Sequence, residues 1–200
     1  MKELSLALGI AAALLHAVAY ILYNIQTKLG KSSPNAASWS LWAFLATINA
    51  LTYKEMSGSM VATMQFFAGS VACFLTFLFV LAIGKFSWLK PKEWAVFALG
   101  VLATLVWWKF RSATGANMIV LVALGFSFIP TIDGVWQNPF KETPRSWVLW
   151  TLAYLVTTTN VVLQGGKPIA LLTPIVLLLA HGSVAVLCRQ KRKSRYHRVG

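Results

Sequence analysis

Charged residues are scarce in this chain, and acidic ones scarcest of all. Only 12% of the 200 residues are charged, about half the roughly 25% of a typical soluble domain. Hydrophobic residues reach 58% and aromatic residues 13%, with nine tryptophans. This balance excludes an ordinary soluble domain and predicts an integral membrane protein, in which Trp is favoured at the interfaces.

The residues that carry most enzyme and metal chemistry are also few. The chain has five Asp and Glu, three His and two Cys, and it contains no HExxH, GxSxG or CxxC motif. We therefore expect no enzyme activity, no metal site and no cofactor. Cys73 and Cys188 lie within or at the end of apolar runs, which predicts two buried thiols.

Basic residues are the exception to this scarcity. The net charge is +13, and six of the eighteen Lys and Arg lie in the last twelve residues. A basic tail after an apolar helix is typical of a topology anchor rather than a nucleic-acid arm. The expected partners are therefore membrane lipid and a small-molecule solute, with no nucleic acid and with homo-oligomerisation left open.

Long apolar stretches predict the fold class: an all-α membrane protein with seven transmembrane helices. A span needs about 20 mostly apolar residues, and turn-forming segments separate seven candidates. The first resembles a signal peptide, but its apolar run continues beyond Ala17-Val18-Ala19, which predicts a retained helix. The predicted spans are 4–23, 37–54, 59–84, 94–108, 115–136, 146–163 and 168–188.

The distribution of Lys and Arg predicts the orientation. With the N-terminus outside, thirteen basic residues fall on the inner side and five on the outer side. Because the inner side carries the excess, we expect an external N-terminus and a cytoplasmic C-terminus in the plasma (inner) membrane.

A short word occurs twice, 108 positions apart: SWSLW at 38–42 and SWVLW at 146–150. The same offset places spans 1, 2 and 3 on spans 5, 6 and 7. Three helices leave the chain on the opposite side of the membrane, so a second copy in the same orientation needs one extra crossing, which span 4 supplies. The predicted organisation is a first three-helix repeat (1–84), a linker helix (85–112), a second repeat (113–188) and a basic cytoplasmic tail (189–200).

This 3+1+3 layout resembles the SWEET and PQ-loop group of seven-helix proteins, and also the nicotinamide riboside transporters. Pro130-Thr131, followed by a basic loop and a helix at Ser146, is similar to the proline-glutamine signature, with Thr in place of Gln. SWVLW is similar to the tryptophan-rich helix start of the nicotinamide riboside transporters. The first repeat departs from the pattern, because Leu22 stands where the offset would place a proline. The resemblance implies transport of a small solute.

Polar residues within apolar spans are functional candidates, because they are costly in hydrocarbon. His16 and His181 are expected at similar depth near the midplane. They could form a proton relay or a solute-binding pair, or be two unrelated core histidines. Asn49 and the group around Thr157 and Asn160 predict a polar cavity, with helix–helix hydrogen bonding as the alternative. Gln65 and Thr173 are expected near an outer entrance.

Prolines, an aspartate and the paired tryptophans are candidates for gating or bending. Pro130 frees a backbone carbonyl within span 5, as does Pro174 in span 7, so the second half should be more bent. Asp133, the only aspartate, is expected at an inner gate or as a charge at the interface. The paired tryptophans, including Trp42 and Trp150, are expected mainly to anchor and pack their helices at the level of an aromatic belt, with a role in an inner gate as the second interpretation.

The function predicted from these residues is a small-solute transporter or facilitator that works by alternating access between two three-helix halves. The solute could be a sugar, a nucleoside-like vitamin or an amino acid. A non-transporting scaffold or accessory protein that keeps the same fold is the alternative, since fold does not fix function.

Overall fold

The chain forms seven long α-helices in the computed structural model, which describes the backbone of residues 1–199 and the side chains of residues 1–190. Each predicted span is helical, so the all-α fold class is confirmed. The side chains of most of the predicted basic tail lie outside the described residues. The elements are α1 (Lys2–Lys28), α2 (Ala36–Ser57), α3 (Met60–Ala82), α4 (Pro91–Phe110), α5 (Ala113–Gln137), α6 (Pro144–Leu163), a short 3-10 turn (Pro168–Leu171) and α7 (Leu172–Val199).

Six helical segments are long and apolar enough to cross a membrane, and α2 is not among them. The sequence explains this difference, because α2 carries several polar residues and ends in Lys54 and Glu55. The polar side chains of α2 include Asn49 and Thr52, which are buried within the protein. The six apolar segments indicate an integral membrane protein.

Local sequence signals define most helix boundaries. The side chains of Asn35, Ser59 and Ser112 accept hydrogen bonds from backbone N–H groups in the first turns of α2, α3 and α5, as N-cap residues commonly do. Helices α4 and α6 begin with Pro91 and Pro144, where the missing N–H costs nothing.

The two prolines expected to bend the second half lie in different settings. Pro130 is inside α5, as predicted. Pro174 lies in the first turn of α7, because the preceding residues form the 3-10 turn. The carbonyl four residues before it, that of Ala170, accepts a hydrogen bond from the Tyr53 hydroxyl at 2.9 Å. This agrees with the prediction that Pro174 leaves a backbone carbonyl free for another partner.

The helices pack in a defined pattern. Helix α3 packs against both α1 and α2, and α7 packs against both α5 and α6. The two groups meet where α1 contacts α6 and where α2 contacts α5. Helix α4 lies against α5 and α2. A central space bounded by α1, α2, α5 and α6 follows from this arrangement.

The loops gather at two opposite faces. The loops 29–35, 83–90 and 138–143 lie at one face, which we name the basic face. Two backbone-involving hydrogen bonds join its first two loops: Ala36 N–H to the Lys85 carbonyl at 2.8 Å, and Ser87 N–H to Asn35 Oδ1 at 2.8 Å. The opposite, far face carries residues 57–59, 111–112 and 164–171. Ser59 donates to Gln164 Oε1 there at 2.7 Å.

Candidate functional site

A cavity of about 210 Å³ opens at the basic face. Its wall is formed by α1, α2, α5 and α6 and the loops 29–35, 83–90 and 138–143, with one residue each from α4 and α7. We name it the mouth cavity. It lies between the α1–α3 group and the α5–α7 group, so both groups supply side chains to one space.

Aromatic rings form much of the wall of the mouth cavity. All four tryptophans of the repeated words line it, together with two tyrosines of α1. Trp147 is only 4% exposed and Trp150 only 2% exposed. The rings of this pair are buried within the helix bundle, which agrees with the packing part of the prediction and not with a belt that faces lipid. Helical spacing alone could not show which side of α6 faces the protein.

A smaller central cavity, of about 30 Å³, adjoins the mouth cavity. Tyr20, Trp42 and His181 line both spaces and so form their shared boundary. His16 and Asn49 line the central cavity. Three of the predicted binding residues are thus brought together, and Trp42 lies where the second interpretation of a gate requires.

His16 is fixed by a hydrogen-bonded chain that connects three helices. Thr157 donates its hydroxyl proton to Gln65 Oε1, which turns the amide nitrogen of Gln65 towards His16. That nitrogen lies 2.9 Å from His16 Nδ1. Because the amide donates, the neutral imidazole carries its proton on Nε2. His16 therefore offers a ring N–H, and Nε2 lies against Gly69 of α3.

His181 has the opposite arrangement. Its Nδ1 lies 2.7 Å from the Leu177 carbonyl oxygen, which can only accept. The neutral ring therefore carries its proton on Nδ1 and leaves Nε2 as an acceptor. The Tyr154 ring separates the two histidines, with its centroid 5.3 Å from that of His16 and 5.0 Å from that of His181. The central cavity is thus lined by one ring donor and one ring acceptor.

Polar side chains close the far face. Asn117 of α5 donates to Asn49 Oδ1 and to Thr52 Oγ1 of α2, each at 3.0 Å. Its own Oδ1 accepts from Thr173 at 2.8 Å. The helix–helix bonding that was the alternative for Asn49 is therefore present, while Asn49 also lines the central cavity. Sequence analysis missed Asn117, although it is a buried amide within an apolar span.

Gln65 and Thr173, predicted to lie near an outer entrance, lie at the closed far face, so a role at an entrance stays a prediction. Both side chains are buried and hydrogen-bonded between helices. Neither lines either of the two cavities. The offset placed the pair at equivalent positions, but in the fold each satisfies a different buried partner.

Three other predicted residues have separate environments. Asn160 is buried away from both cavities, where its Oδ1 accepts from Gln164 Nε2 at 3.0 Å. Asp133 is exposed and accepts from Gln137 Nε2 at 2.9 Å. It lines neither cavity, as expected of the interface charge and not of the gate. Pro130 lines the mouth cavity, next to Thr131.

Glu142 is the main site residue that sequence analysis missed. It lies in the loop between α5 and α6, is only 6% exposed and lines the mouth cavity. Tyr23 donates its hydroxyl proton to Oε1 at 3.3 Å, and Trp147 Nε1 donates to Oε2 at 3.4 Å. Burial raises the pKa of this carboxyl from 4.5 to about 7, although hydrogen bonds from Ser32, Trp147 and Tyr23 lower it in part. The sequence signal was weak, because an acidic residue in a basic loop normally faces water.

No protein-family model, characterised protein or solved structure matches this chain. The function must therefore be argued from the site. Its geometry combines a wide mouth lined by rings and one buried carboxylate, a small central space with two histidines, and a far face closed by hydrogen bonds.

Proposed function

We propose that the chain is a small-solute transporter or facilitator of the plasma membrane, which binds its solute between two three-helix halves and exposes it to each face in turn. One observation carries this proposal. The mouth cavity opens at the basic face, while the hydrogen bonds of Asn117 join α5 to α2 and α7 beyond the central cavity. One open side and one closed side are what an alternating-access protein has in each of its two end states.

The helix boundaries and contacts support an internal repeat. Helix α2 begins at Ala36 and α6 at Pro144, and α3 begins at Met60 while the 3-10 turn before α7 begins at Pro168. Both separations equal the offset of 108 between the repeated words. The contacts are symmetric as well. If α1 and α2 correspond to α5 and α6, the contact of α1 with α6 corresponds to the contact of α5 with α2, and both are present. This favours two parallel repeats joined by α4, the layout of the SWEET and PQ-loop proteins.

Polar groups in the two cavities favour solute binding over packing alone. The indole N–H of Trp150 is buried without a hydrogen-bond partner among the described residues. Leaving such a donor unpaired costs about 1–3 kcal/mol, a cost that a bound acceptor would remove. His181, whose ring centroid lies 5.6 Å from that of Trp150, adds an acceptor, and His16 adds a donor in the adjoining central cavity. A hydroxyl or amide, which both donates and accepts, is complementary to this pair.

Uptake into proteoliposomes tests the proposal. Labelled sugars, nucleoside-like vitamins and amino acids would be screened at two pH values. The decisive variant is Thr131→Cys, because Thr131 lines the mouth cavity. A bulky thiol reagent at this position should block transport. Ile129→Cys is the matched control, since Ile129 is exposed and lines neither cavity. No uptake of any such solute would refute transport and favour the scaffold alternative.

A further inference from the structure

The mouth cavity combines a buried carboxylate with several aromatic faces. Glu142 and the rings of Tyr23, Trp39, Trp147 and Trp150 all line it. Burying an ionised carboxylate is costly unless it is paired, so a cation bound beside Glu142 would stabilise its ionised form. Aromatic faces attract cations through the ring quadrupole, most strongly for Trp and for ligands that have lost water.

The rings form one connected group. The Trp39 centroid lies 5.2 Å from that of Tyr23, and the Trp147 centroid lies 5.1 Å from that of Trp150. Tyr23 joins the two pairs, because its ring lies 5.6 Å from that of Trp150. Both oxygens of the Glu142 carboxylate accept hydrogen bonds from this group of rings, one from Tyr23 and one from Trp147. The rings and the charge therefore hold one another in a fixed geometry.

Two lysines also line the mouth cavity, and their positions matter for a cation. A Cβ atom placed on Gly134 would lie 3.0 Å from Lys141 Nζ, so this ammonium group lies against the last turns of α5. Its positive charge also acts on the neighbouring Glu142 carboxyl, so a bound cation would share that carboxylate with Lys141. Lys90 is exposed. A second carboxylate, that of Glu93, lines the same cavity and accepts hydrogen bonds from Ser38 and from the Lys90 backbone N–H.

We propose that the mouth cavity is a subsite for an organic cation, in which Glu142 supplies the charge and the rings of Trp39, Trp147 and Trp150 supply the faces. The inference rests on the proposed solute-binding role of this cavity. It deepens that role by naming the charged group of the solute: an alkylammonium group or another compact organic cation. A neighbouring hydroxyl on the same solute would reach the histidines of the central cavity.

The test compares two ligands of the same shape. Choline and its neutral carbon analogue, 3,3-dimethylbutan-1-ol, differ in a single atom and one charge. Binding to the purified full-length protein in detergent would be measured by titration calorimetry. We expect choline to bind about tenfold more tightly or better. Equal affinities for the two ligands would overturn the inference without any variant.

Variants then identify the groups responsible. Glu142→Gln should weaken choline binding by about tenfold and leave the neutral analogue unchanged. Trp39→Leu should also act on choline alone, and Trp39→Phe should restore part of the affinity because a weaker ring face remains. Trp39 is half-buried, so replacing it should disturb folding less than replacing the fully buried Trp147 or Trp150. Loss of both ligands in parallel would overturn the assignment.

A separate measurement keeps this inference apart from the proposed function. Selective choline binding without uptake of any solute would refute transport and leave the cation subsite standing. Uptake of neutral solutes by a protein that does not distinguish the two ligands would refute the subsite and leave transport standing.

Discussion

Gly69 allows His16 to reach its position, and replacing it tests how the central cavity is built. A Cβ atom at position 69 would lie 2.7 Å from His16 Nε2 and 3.1 Å from Cδ2. The ring has little room to move, because it also contacts Tyr20 and Tyr154, each at a centroid distance of 5.3 Å. Gly69→Ala must therefore displace His16 or separate α3 from α1.

The size of the effect follows from two opposing contributions. Forcing an extra carbon into a packed interior costs about 1–3 kcal/mol, while Ala in place of Gly in a helix gains about 0.5–1 kcal/mol. Gly125→Ala is the matched control, since a Cβ at that position meets nothing within 4 Å. Because the helix contribution is shared, Gly69→Ala should be less stable than Gly125→Ala by about 1–3 kcal/mol.

Reversible unfolding in mixed detergent micelles would measure this difference, followed by a double-mutant cycle. In a His16→Ala background the ring is absent, so Gly69→Ala should be as stable as Gly125→Ala. Equal stability of the two alanine variants would refute the close contact. A cost that persists without the imidazole ring would show that another neighbour of Gly69 is responsible.

Three further predictions concern the two faces. The pKa of Glu142 is raised from 4.5 to about 7, so the folded state binds more protons than the unfolded state between these pH values. The free energy of unfolding should therefore fall by about 3 kcal/mol as pH rises through this window. In pH-dependent unfolding, Glu142→Gln should show a flatter slope than the parent protein, and an unchanged slope would contradict the assignment. Asn117→Leu should lower the free energy of unfolding by about 1–3 kcal/mol, because its buried partners lose their hydrogen bonds; a neutral variant would contradict the closure of the far face. If the basic face lies in the cytoplasm, an impermeant maleimide should label Lys54→Cys in intact cells. It should label Lys31→Cys only after the cells are permeabilised. The reverse pattern would show that the chain has the opposite orientation. The native thiols should give no background, since both are buried: Cys73 and Cys188.

The repeated segments SWSLW and SWVLW show which features could be predicted from the sequence and which could not. Apolar runs and turn residues predicted where the helices of the second half begin to within a few residues, because helix boundaries follow local signals such as caps and proline. The tryptophans of the repeated segments are expected to anchor and pack their helices at headgroup level, and the structure buries the second pair in the protein interior. A Trp pair at helical spacing marks one side of a helix, but only the neighbouring helices decide whether that side meets lipid or protein.

Glu142 and Asn117 show why the site was only partly predictable. His16, His181 and Asn49 stood out because polar groups are rare in apolar spans, and the structure brings all three to the central cavity. Glu142 lies in a loop, where a carboxylate is ordinary, and its burial arises from Tyr23 and Trp147, which are distant in sequence or on the next helix. No local pattern encodes that environment.

The sequence by itself determined the membrane class, the seven helices and their boundaries, because hydropathy and capping act over a few neighbouring residues. Tertiary structure decided which polar groups face a cavity, which satisfy one another between helices, and which face of the bundle is open. Those outcomes depend on contacts such as Asn117 with Asn49 and Gln65 with His16, which join residues 68 and 49 positions apart. Partners this distant in sequence meet only when whole helices pack.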